Sequence, residues 1–114
     1  MGLITGTLRL HQLNNARHDM EFKMQEITQD KLNISGNLCE VSDKVAAASM
    51  EGKDTPEIKE LESEKIYLET LEKKLDAQMA QYNNKLQAIQ TEIESAKKIV
   101  DSNIQSSFTY GGRN

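Results

Sequence analysis

The strongest interruption in this sequence is the stretch Glu51-Gly52-Lys53-Asp54-Thr55-Pro56, in a chain of 114 residues that contains six glycines and one proline. Gly52 can adopt the left-handed conformation that closes a helix. Asp54 or Thr55 can cap a following helix, and Pro56 suits the first turn of that helix. The sequence therefore predicts a turn over 51–56, between a first helix over about 8–50 and a second helix over about 57–105.

Apolar residues recur at alternating spacings of three and four on both sides of this turn. After the turn, 14 positions in this phase run from Ile58 to Asn103, and 11 of them are apolar or Tyr. Before the turn, 12 positions run from Leu10 to Ala48, and 10 of them are apolar. Such a stripe, here called the seam, is typical of a left-handed coiled coil. Because a short loop makes neighbouring helices antiparallel, the sequence predicts an all-α fold, a long antiparallel helical hairpin (a two-helix coiled coil) that forms one domain over 1–114.

Two charged seam residues are predicted to meet. Folding at the turn brings together positions whose residue numbers total about 103–106, and Lys31 with Glu72 totals 103. We interpret them as an interhelix pair that sets the register, with Leu32 and Leu71 beside them supplying the missing apolar contact. The alternative is that both charged side chains extend to solvent independently.

The stretch around Gly36 argues against a continuous first helix, because glycine inside a helix costs about 1 kcal/mol relative to alanine. The heptad phase nevertheless continues from Ile34 to Leu38, whereas a true break usually resets it. The sequence favours a continuous helix with a weak point there. The alternative is a three-helix arrangement with a turn over 35–37.

The ends differ in composition from the helices. Residues 1–7 and 106–114 are predicted to be flexible or docking segments. Phe108 and Tyr110 alternate around Thr109, which suits an extended segment better than a helix. Such a segment could dock on a neighbouring molecule, or it could be a frayed terminus.

The composition excludes several kinds of function. The formal net charge of −4 makes the chain a poor binder of nucleic acid. One cysteine cannot form an internal disulfide framework or a cysteine-based zinc site, and His11 and His18 lack the spacing of a zinc-binding pair. We therefore expect no catalytic residues, no metal site and no cofactor.

The N-terminal stretch lacks the pattern of a signal peptide, and no stretch reaches the length of a membrane span. We expect a chain that is cytoplasmic as synthesised and not inserted in a membrane. Leaderless export, or incorporation into an extracellular assembly, is left open.

Apolar side chains outside the seam point to contacts with other chains. A two-helix hairpin covers one stripe of each helix, so the others stay exposed. The candidate contacts to a second copy or another helical protein are Phe22, Leu32, Ile66, Leu71, Ile104, Phe108 and Tyr110.

These features favour an oligomeric, non-enzymatic structural protein, a self-assembling subunit of a filament, a tube, or a secretion-associated or virion-type assembly. The layout resembles type III secretion needle subunits and the terminal helices of flagellin-like proteins in architecture only. The alternative is an adaptor or chaperone-like helical binding module of fixed stoichiometry.

Overall fold

Two helices make up the part of the chain that the computed structural model describes, which is residues 2–52 and 56–111, with the backbone alone for 107–111. Helix α1 runs over Leu3–Met50 and helix α2 over Pro56–Gly111. The all-α helical hairpin predicted from the sequence is confirmed.

Gly52 closes α1 as the sequence predicts. Its φ of 72° lies in the left-handed region, which glycine enters without the steric cost that a Cβ imposes. The Gly52 N–H donates a hydrogen bond to the Ser49 carbonyl oxygen at 3.1 Å. Helix α2 then begins at Pro56, with Glu57 in its first turn. The predicted capping role of Asp54 or Thr55 lies outside the described residues.

Helix α1 starts earlier than predicted, at Leu3 rather than near residue 8. Leu3 and Gly6 continue the seam phase upstream of Leu10, so the helix gains contacts with α2 from its first turn onward. Gly6 is buried there, and a Cβ built on it would lie 3.2 Å from Cγ2 of Val100. The absence of a side chain at Gly6 thus lets the two helices approach closely.

The extended conformation predicted around Thr109 is wrong for the backbone, because α2 continues to Gly111. Extending an existing helix adds one hydrogen bond per residue without a new nucleation cost. Two aromatic residues that alternate once around a polar residue give only a weak signal for a β-strand. The signal is weaker still because the sequence predicts no other strand with which this segment could pair. The side chains of Phe108 and Tyr110 lie outside the described residues.

Helix α1 is continuous through Gly36, which confirms the favoured interpretation over the three-helix alternative. A Cβ built on Gly36 would meet no other atom within 4 Å, so no close packing there explains the glycine.

The seam forms the core of the hairpin. Every one of its 26 positions, from Leu10 to Ala48 and from Ile58 to Asn103, is buried or half-buried. Among the described side chains, every buried hydrophobic one belongs to the seam: Leu13, Ile27, Val41, Ile58, Leu68, Ile93 and Val100. Burial of this one stripe from each helix holds the hairpin together.

The contacts divide the chain into two units, Met1–Lys23 with Tyr82–Asn114, and Met24–Gln81. In the first unit, Gly6 faces Val100, and the Lys23 ammonium lies 5.6 Å from the centroid of the Tyr82 ring. The residue numbers of these pairs total 106 and 105, within the predicted range. The second unit holds the turn and the Lys31 contact described next.

Candidate interaction surface

Lys31 does not pair with Glu72 as the sequence analysis predicted. Its Nζ forms an ion pair with Oδ1 of Asp76, one helical turn further along α2. Helical side chains point back toward the N-terminus of their own helix. In an antiparallel pair this tilts Lys31 toward Asp76 and tilts Glu72 away from Lys31. The Asp76 side chain is also half exposed, so this pairing costs less desolvation than one with half-buried Glu72.

Leu32 and Leu71 also behave differently from the prediction. Leu32 follows a seam position of α1 and Leu71 precedes one of α2, which in an antiparallel pair places them on opposite flanks of the seam. Leu32 is 62% exposed, whereas Leu71 is half-buried. They therefore do not supply a shared apolar contact beside Lys31, and each belongs to its own surface.

Leu71 lines a groove between the helices of the second unit. The groove has a volume of about 370 Å³ and is open to solvent along one side. Its walls and floor come from both helices: Asp30, Asn33, Ile34, Leu71, Lys74, Leu75 and Gln78. We call this surface the Leu71 groove, and the side of the hairpin on which it lies the Leu71 flank.

The other candidate contacts are exposed as predicted. In the first unit, Phe22 is 61% exposed and Ile104 is 49% exposed. In the second unit, Leu32 and Ile66 are 62% and 63% exposed. Phe108 and Tyr110 cannot be assigned to a surface, because their side chains lie outside the described residues. These exposures show accessible side chains, whereas contact with another chain stays a prediction.

Tyr67 is as exposed as Ile66 but is not among the contacts predicted from the sequence. Tyr67 lies four residues before Leu71 and so shares the Leu71 flank. Its spacing from Leu71 is the signal that could have found it. Ile4 and Ile99 are exposed in the first unit and were likewise not predicted as contacts.

The first unit has a smaller cleft where a short side chain interrupts the seam. The cleft measures about 230 Å³ and is lined in part by Leu13, Ala96 and Ile99. At its edge, Nη2 of Arg9 donates a hydrogen bond to Oε2 of Glu92 at 2.9 Å. Both side chains of this ion pair are half exposed, so its contribution to stability is about 0.2–1 kcal/mol.

The same unit contains a half-buried charged seam position, Arg17. Its Nε lies 3.8 Å from Oε1 of Glu21, one turn along α1, and makes no hydrogen bond among the described residues. Nδ1 of His18 lies 3.8 Å from Oε2 of the same carboxylate. Arg17 thus lies beside a carboxylate on its own helix, while the rest of its side chain is packed at the seam.

Within the described residues, no group of three metal-ligating side chains occurs. In the same part of the chain, no helix is both long and apolar enough to cross a membrane. Cys39 is a free, exposed cysteine.

No protein-family model, no curated protein and no solved structure matches this chain. The physical properties of the surface therefore provide the basis for a functional proposal.

Proposed function

We propose that this chain is a non-enzymatic structural protein, a coiled-coil subunit that assembles with copies of itself into a filament, a tube, or a secretion-associated or virion-type assembly. One observation supports this proposal above the others. Six large apolar side chains outside the seam are each more than 60% exposed: Ile4, Phe22, Leu32, Met50, Ile66 and Tyr67.

The small core supports the same proposal. Among the described residues, the buried hydrophobic side chains retain 3–9% exposure and none is fully buried. A core this thin leaves the apolar side chains outside the seam uncovered within the hairpin.

The second unit has exposed apolar side chains on two opposite flanks. Leu32 and Ile66 both follow seam positions and share one flank, while Tyr67 lies with Leu71 on the other. A surface with contacts on two sides can bind one neighbour through each side. Repetition of such contacts gives open growth, whereas a single self-complementary patch gives a closed dimer.

Assembly is tested by sedimentation velocity of the purified chain over a concentration series, with electron microscopy of the fast-sedimenting fraction. We expect the wild type to grow into fibres or tubes. We expect Phe22→Ala and Ile66→Ala to reduce growth strongly while the circular dichroism signal of the helices is retained. Gln25→Ala, also exposed on α1, is the matched control and should assemble like the wild type.

Growth that is unchanged in both apolar variants would contradict assembly through these side chains. A wild type that stays at one small size at every concentration would contradict the structural proposal altogether. That result would favour the alternative, an adaptor or chaperone-like module whose exposed faces bind a different helical protein.

A further inference from the structure

The Leu71 groove combines an apolar floor with unpaired charges on both walls. Its floor includes Ile34, Leu71 and Leu75. Asp30 on α1 and Lys74 on α2 line it from opposite sides, and neither forms an ion pair or a side-chain hydrogen bond within the described residues. An apolar strip between one acidic and one basic wall is suited to a partner with the opposite order of charges.

A second copy of the same chain has that order of charges. Asp30 and Lys74 lie at the same distance from the turn, here called the same level of the hairpin. Their residue numbers total 104, close to the totals of 106 and 105 for the facing pairs Gly6 with Val100 and Lys23 with Tyr82. A twofold axis parallel to the helices exchanges α1 and α2 without changing this level. It would place Asp30 of each copy opposite Lys74 of the other copy.

A second pair of oppositely charged residues, one on each helix at the same level, occurs two heptads closer to the turn. Lys44 on α1 and Glu60 on α2 also total 104 and fall on the Leu71 flank, with the charge signs reversed. Lys44 already has an exposed contact with Glu40 on its own helix, 3.5 Å away, and this contact competes with a new pair. A shift of two heptads would oppose Lys44 to Lys74 and Glu60 to Asp30, so these two pairs favour the unshifted parallel alignment. Glu40 and Glu64 lie at one level of the same flank and oppose each other in that alignment, so the complementarity comes from the Asp30–Lys74 and Lys44–Glu60 pairs.

We infer that the Leu71 groove binds the Leu71 groove of a second copy, so that the second units of two chains form a twofold-symmetric four-helix bundle. This contact depends on the self-assembly proposed above and identifies its first step. The floor residues of the two copies pack against each other, with Asp30–Lys74 pairs along both edges.

The inference is tested by charge exchange. Asp30→Lys places lysines on both walls, and Lys74→Asp places aspartates on both walls, so each variant opposes like charges twice in its own dimer. Both side chains are exposed and unpaired, so the hairpin itself should fold normally. We expect each variant to weaken dimerisation at least about tenfold. An equimolar mixture of the two variants should recover wild-type affinity, because every edge then joins a lysine to an aspartate.

Dimerisation is measured by sedimentation equilibrium at concentrations below the onset of larger assemblies. Energy transfer between labels on Cys39 gives a second readout of mixing. Cys39 is exposed, is the only cysteine in the chain, and follows a seam position of α1, so it lies on the flank away from the groove. Dimers that are as tight as wild type in both charge variants, or a mixture that does not recover, would overturn the inference.

A matched pair of leucine variants tests the groove floor. Leu71→Ala should weaken the dimer, whereas Leu32→Ala, on the opposite flank, should leave it unchanged. Equal effects of the two changes on the dimer would contradict the inference. Failure of the inference alone is recognised by a wild type that still grows into large assemblies while the charge variants dimerise normally. A wild type that is monomeric at every concentration contradicts both this inference and the proposed function.

Discussion

Replacing Gly36 by alanine should stabilise the protein, and the size of the effect follows from two observations. Gly36 lies inside α1 with ordinary helical geometry, since Gly52 alone among the described glycines has a positive φ. A Cβ at Gly36 would meet no other atom within 4 Å. The full difference in helix propensity between glycine and alanine, about 0.8–1.0 kcal/mol, should therefore be gained.

This gain is converted to a melting temperature through the entropy of unfolding. At about 2.1 cal/mol/K per residue, a gain of about 1 kcal/mol raises the Tm of a chain of this length by about 4 °C. The assay is unfolding followed by circular dichroism at one low protein concentration, because assembly adds its own dependence on concentration. Urea unfolding of the same variant should give the matching change in free energy.

Gly6→Ala is the control for Gly36→Ala. It has the same propensity gain, but its Cβ would lie 3.2 Å from Cγ2 of Val100, so the helices must shift. We expect a smaller gain than at Gly36. A Gly36→Ala variant that melts at or below the wild-type temperature would refute the reasoning. It would mean that α1 is not a continuous, open helix at this position.

Three further predictions concern the turn, the seam and the revised ion pair. Gly52→Ala should lower stability by about 1–2 kcal/mol in thermal melts, because its φ of 72° is unfavourable for a residue with a Cβ; an unchanged Tm would contradict this. Ile93→Ala should cost about 2–5 kcal/mol because Ile93 is 3% exposed. In contrast, Ile66→Ala should change monomer stability by less than about 0.5 kcal/mol, and similar losses in urea unfolding would refute the distinction. A double-mutant cycle on Lys31 and Asp76 should give a coupling energy of about 0.2–1 kcal/mol that falls with added salt, whereas additive effects would exclude the pair.

The seam was predictable because it depends on local spacing alone. A helix places residues three and four apart on one face, so the 3-4 alternation from Leu10 to Ala48 and from Ile58 to Asn103 identifies the buried stripe. The turn was predictable for a similar reason. Gly52 can close the first helix, and Pro56, four residues later, suits the first turn of the second helix.

The partners of individual charged residues were not predictable from the same pattern. Counting across the turn placed Lys31 level with Glu72, but the direction in which helical side chains tilt decides that Lys31 meets Asp76. The start of α1 at Leu3 likewise depends on the close approach of Gly6 to Val100, a contact between residues far apart in sequence.

The sequence by itself determined that the chain is two helices joined by a turn, and which stripe of each helix is buried, because both depend on interactions within a few residues. The tertiary structure alone decided how deeply the apolar residues beside the seam are buried and which charged side chains meet. Leu32 is 62% exposed, whereas Leu71 is half-buried in a groove that Asp30 and Lys74 also line. Burial and pairing depend on how closely the two helices approach each other, and the spacing along one helix does not contain that information.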